Sequence, residues 1–120
     1  DFTAKLIDVY PPSADYPRGY AMILCDGILR LRYAEDPAAP RLRQPGEVVR
    51  ITVNLGPIAN LFGVGHRIRL DVSSSNFPKF DVNPNTGEPD GMARRRRVAV
   101  NTVFVDAGRP SRVVLPVMAS

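Results

Sequence analysis

The run GHRIRLDVS, residues 65–73, alternates: His66, Ile68, Leu70 and Val72 share one parity, and Arg67, Arg69, Asp71 and Ser73 share the other. Successive side chains of a strand point to opposite faces of a sheet, so this run predicts a strand with one apolar face. Its arginines then turn to solvent or to a neighbouring domain. EVVRITVNL, residues 47–55, repeats the pattern, with Val49, Ile51, Val53 and Leu55 opposed to Val48, Arg50, Thr52 and Asn54. Residues 2–9, 20–24, 28–33, 98–105 and 112–118 are likewise rich in β-branched, aliphatic or aromatic side chains.

Between these runs lie PPSADYPRG, EDPAAPRLRQPG, LGPIANLFGVG, FPKFDVNPNTGEPDG and DAGRPS, which hold most of the 12 prolines and 9 glycines. Proline has no N–H to give to a ladder, so it is kept out of central strands and marks the connections. Only GPIANLF, residues 56–62, has the make-up of a helical turn, and no amphipathic helix is legible. The pattern predicts an all-β sandwich, a single domain over residues 1–120 whose strands are joined by elaborate loops.

Composition bounds the function. A chain of 120 residues with 44% hydrophobic and 23% charged residues is that of an ordinary soluble domain, and no apolar run approaches a membrane span. Asp1 is not preceded by a basic and then apolar leader, so no signal peptide is expected. The single cysteine, Cys25, lies in the apolar run YAMILC and is expected to be a buried, inert thiol, most easily reconciled with a reducing cytoplasm. The net charge of +4 equals the contribution of the run Arg94, Arg95, Arg96 and Arg97. That basic patch has no interleaved aromatics, so a nucleic-acid partner is not expected; a solvated loop, or one meeting carboxylates on a neighbouring domain, is.

Catalytic and metal chemistry find little support. None of Ser13, Ser73, Ser74, Ser75, Ser111 and Ser120 stands in a G-x-S-x-G elbow. His66 is the sole histidine, and its parity predicts a core-facing, hydrogen-bonded structural role. Asp81, Asn83 and Asn85 alternate like calcium ligands, but counting from Asp81 puts Thr86 and Met92 where an EF-hand needs glycine and glutamate. The loop is therefore read as metal-free and structural. Asn83, Asn85 and Gly87 take turn conformations, Asn76 and Asp81 bond nearby backbone amides, Phe77 and Phe80 pin the loop to the core or to a partner, and Pro78 is a further structural or interface residue of the loop. No cofactor is expected.

DFTAKLIDVYP (1–11), LCDGILRLRY (24–33), GHRIRLDVSSSNFPKFDVNPNTG (65–87) and NTVFVDAGRPSRVVLPV (101–117) together resemble the C-terminal domain of X-Pro dipeptidyl-peptidase-like serine hydrolases. That group includes cocaine esterases, α-amino acid ester hydrolases and glutaryl cephalosporin acylases. The resemblance implies a jelly-roll sandwich, like galactose-binding modules, packed on an α/β-hydrolase catalytic domain that owns the whole triad. It assigns no catalytic residue to this chain, whose parent would be a bacterial esterase or dipeptidyl-peptidase. It further implies that strands precede the segment matching 1–9, so that the chain is only part of a complete sandwich and the edge of the 2–9 strand, with Phe2, Ala4 and Leu6, seeks a partner.

The favoured expectation is a non-catalytic accessory domain that shapes substrate access or oligomerisation, with a homo-oligomer a further partner. The alternatives are a carbohydrate-binding β-sandwich module, weakened by the absence of tryptophan, and an interaction protein acting through Arg94–Arg97.

Overall fold

Strand β1 (Phe2–Tyr10) lies between two antiparallel neighbours, β2 (Tyr20–Leu29) and β3 (Arg67–Ser73), giving the sheet order β2-β1-β3. The computed structural model describes residues 1–118; Ser120, one of the serines considered above, lies outside them. Flanked on both sides, β1 carries the deepest burial: Thr3, Leu6, Ile7 and Asp8 are all under 5% exposed, and Ala4 is buried beside them. The expectation that 2–9 is an edge is thus overturned, and the free edges belong to β2 and β3. Apolar residues on both faces of FTAKLIDVY are what a central strand requires.

β2 is one strand where the sequence suggested two. Leu6 faces Cys25 and Ile7 faces Ile23, so Leu24 has no opposite number and the ladder bulges there. The bulge shifts parity within the strand, which is why YAMILCDGIL does not read as one alternating run. The remainder of the second expected segment forms a short 3-10 turn at Leu31–Tyr33.

Beyond the sheet, 48–55 keeps its alternation without a ladder. Val49, Ile51, Val53 and Leu55 are half-buried, while Val48, Arg50, Thr52 and Asn54 are exposed. The segment crosses β2 at Gly27, where an added Cβ would come within 2.1 Å of the Asn54 carbonyl oxygen. This is the start of a second layer. The expected strands at 98–105 and 112–118 also lack ladders among the described residues, and Val98, Val100, Val114 and Val117 stand almost fully in solvent. A turn closed by Asp106, which accepts from the amides of Gly108 and Arg109, joins these two arms. Alternation gives a segment a face that suits a sheet, but pairing needs a neighbouring backbone in register.

The architecture is therefore all-β and a partial sandwich. Its radius of gyration, 17.3 Å, exceeds the roughly 14 Å of a compact domain of this length. Ile68, Leu70 and Val72, the apolar face of β3, remain 40–53% exposed, contrary to the burial their alternation suggested.

Gly27→Ala is expected to destabilise the polypeptide by about 1–3 kcal/mol, the usual cost of overpacking against backbone. Chemical unfolding measures it; a neutral result would show that 48–55 does not lie against β2.

Candidate functional site

The 76–90 connection is tied to one end of the sheet by side chains from Asp1, just before β1, from β2, and from the 3-10 turn and its flank. Asn76 donates to Asp26 Oδ2 at 2.7 Å, and Lys79 pairs with Asp26 Oδ1. Asn83 spans the loop, its amide donating to Asp1 Oδ1 at 2.7 Å while its own oxygen accepts from the Asn85 amide at 2.9 Å. Asn85 sits at φ 58°, followed by Gly87 at φ 79°. This left-handed backbone lets Asn85 Nδ2 reach the Arg97 carbonyl at 3.0 Å. Asp90 receives Tyr33 Oη at 2.8 Å and lies 3.4–3.6 Å from Arg30 and Arg32. Asp1 Oδ2 accepts no hydrogen bond, but Arg30 Nη1 stands 3.5 Å away and offsets its buried charge.

Of the residues singled out in the sequence, Asn76 and Asp81 do not bond neighbouring amides through their side chains. Asn76 reaches across to β2, and Asp81 is exposed, contributing only its carbonyl to Arg30. Phe80 is half-buried with Lys79 over its ring, whereas Phe77, in a cis Phe77–Pro78 unit, is 72% exposed. Arg94, Arg95, Arg96 and Arg97 are all exposed, and among the described residues none has a carboxylate within 4 Å. No three His, Cys, Asp or Glu side chains converge as metal ligands there.

His66 is half-buried, its Nδ1 2.8 Å from Asp8 Oδ1 and its ring against Tyr10 at 4.2 Å. Asp8 is completely buried and also receives Asn60 Nδ2 at 3.2 Å. Gly63 closes on the far side of the imidazole, where a Cβ would meet Nε2 at 3.1 Å. An aspartate orienting a histidine makes two of a triad's three members, but Ser73, at the other end of β3, bonds Thr3 and the Ser75 carbonyl. Cys25 is half-buried rather than buried, and burial together with the Asp26 carboxylate pushes its thiol above the ordinary value, which disfavours thiolate.

Sequence reasoning missed Asp1, Asp8, Asp26, Arg30 and Asp90. Two of them were signalled. Asp8 and Asp26 interrupt apolar strand runs, and a charge placed there needs a partner in the fold.

A model of the X-Pro dipeptidyl-peptidase C-terminal non-catalytic domain matches residues 1–114. Cocaine esterase of Rhodococcus sp. (strain MB1 Bresler) is 43% identical over 123 residues, covering 98% of this chain and 20% of that protein. The chain thus spans about a fifth of the length of that curated relative.

Two outcomes test the geometry. Hydrogen bonding by Lys79, and secondarily by Asn76, holds the Asp26 carboxyl below its ordinary 3.8. A carboxylate depressed in the folded state contributes stability above its unfolded value and loses it as pH falls through the lowered one. Amide exchange across 76–81 should therefore be independent of pH-induced loosening above about pH 4 and accelerate beyond intrinsic rates below it; Asp26→Asn should abolish that transition. His66→Ala leaves Asp8 buried with only Asn60 and should cost about 1–3 kcal/mol, with His66→Asn recovering part of the loss. Equal melts for all three proteins would count against the pairing.

Proposed function

Because the chain belongs to the family of X-Pro dipeptidyl-peptidase C-terminal non-catalytic domains, we propose that it serves a serine hydrolase acting on esters or amides as an accessory module seated on an α/β-hydrolase catalytic domain. The observation that carries this reading is surplus surface. The chain exposes 9598 Å², against about 6,400 Å² for a compact protein of its mass. The excess of about 3,200 Å² on this one chain is well above the ~800 Å² that each partner of a standard complex buries, and is in the range of permanent interfaces. Exposed Phe77, Leu61, Val64, Met92 and the valines of the two long arms are among the apolar side chains of that surplus.

In this role the module shapes substrate access or the oligomer interface and supplies no reacting group. Its histidine is held by Asp8 and faces Gly63, and among the described residues no serine hydrogen-bonds to it. A carbohydrate-binding role is the second reading, favoured by one feature: Tyr16 and Tyr20 stack at 5.1 Å and are both about half-exposed, a small aromatic platform.

Deleting the module from the intact hydrolase should lower the melting temperature and kcat/KM for a nitrophenyl acyl ester, while the 120-residue chain alone turns over none. Unchanged activity and stability in the deletion, or turnover by the isolated chain that vanishes in His66→Ala, would overturn the accessory role.

A further inference from the structure

From the end of β3 the chain turns back across the sheet. Thr3 stands opposite Ser73, and Lys5 opposite both Asp26 and Asp71, so these five side chains share one face. Gly27, against which the 48–55 segment lies, belongs to the other. On the face that 48–55 leaves free, Asn76 and Lys79 reach Asp26 on the far strand, which carries the 74–80 turn over β1. All three strands hold it. Ser73 Oγ lies 2.9 Å from Thr3 Oγ1 and donates to the Ser75 carbonyl at 2.6 Å, Asp26 takes the two side chains already named, and the Phe80 amide closes the turn on the Asn76 carbonyl at 3.1 Å.

The turn holds two phenylalanines and treats them differently. Phe80 is half-buried, with the Lys79 ammonium 5.6 Å from its ring centre, while Phe77 is 72% exposed. An apolar ring held in water by a polar frame gains nothing for this chain alone. It has the form of an interface anchor, because the backbone that carries it is already ordered and association forfeits little further entropy. The charge of the turn narrows the complement. Its one cation, Lys79, is committed to Asp26, and no other ionised group lies between Asn76 and Phe80. A neutral frame around an aromatic ring suits a dry apolar socket and offers nothing to a phosphate or an anionic membrane.

We propose that Phe77 is the anchor by which this module seats on the α/β-hydrolase catalytic domain of its own polypeptide, entering an apolar socket on that domain's surface; the proposal rests on the accessory role argued above. A partner on the same chain is present at high effective concentration, so one preordered ring in neutral surroundings suffices to register the two. A second copy of this chain fits less well. Two open clefts among the described residues are lined in part by Arg18, Arg67 and Arg69 or by Arg32 and Asp90, and seating Phe77 in either would join unlike surfaces head to tail, which closes only as a ring.

Photo-crosslinking of the intact hydrolase decides it. With p-benzoylphenylalanine in place of Phe77, irradiation should join position 77 to the catalytic domain within one chain, to the same extent at low and high protein concentration. Phe77→Ala should lower the melting temperature of the intact hydrolase by a few degrees, and Phe77→Leu should recover part of the loss. Crosslinks that join two copies, or an unchanged melting temperature in Phe77→Ala, overturn the proposal. The same photoreactive group in place of Val114, on an exposed arm, separates the two levels of the argument. Crosslinks to the catalytic domain from position 114 with none from position 77 would overturn the anchor and leave the accessory role standing; none from either position would remove both.

Discussion

Everything in this molecule is organised by the pairing of β1 on both sides. Its backbone donors and acceptors are taken up by β2 along one edge and β3 along the other, and its side chains supply nearly all the deeply buried positions. Unpaired backbone buried away from water costs as much as a lost hydrogen bond, so β1 can occupy the middle only because both neighbours are present. Asp8 depends on the same placement. A carboxylate with no exposure at all is tolerable because His66, just before β3, and Asn60, from the connection between the crossing segment and β3, both reach it.

The long loop is shaped by the opposite end of the sheet. Asp26, placed by the bulged β2, holds Asn76 and Lys79; Asp1, just before β1, holds Asn83. The connection has almost no core of its own, so its form rests on polar anchors and on two positive-φ residues. It has a fixed shape and leaves Phe77 and the four consecutive arginines outward.

The strands were legible wherever pattern and neighbour coincided. GHRIRLDVS gave β3 from alternation alone, and FTAKLIDVY gave a strand, but not its central position, since centrality is set by who pairs with it. EVVRITVNL shows the limit in another way: its inward and outward sets are those the alternation required, while the ladder is missing because hydrogen-bond partners are not encoded in parity. YAMILCDGIL was divided between the expected segments 20–24 and 28–33, which leave Asp26 and Gly27 between them. A bulge, a carboxylate with two partners and a carbonyl pressing on a glycine make those two residues fit a strand. Among functional positions, the loop residues were visible by their unusual composition. Asp8 as the partner of His66 was not, because the two stand 58 positions apart in line.

The strand order has a temporal side. β1 and β2 are joined by a short loop and can pair early, but Thr3 meets Ser73 and Asp1 meets Asn83 across 70 and 82 positions. Closing loops of that length precedes any reward from the contacts they make, which slows folding in proteins dominated by distant pairings. On the ribosome, β1 therefore emerges with only one of its two edges satisfied and stays so until β3 has been made. The strand that ends most buried is the one exposed longest as an incomplete template.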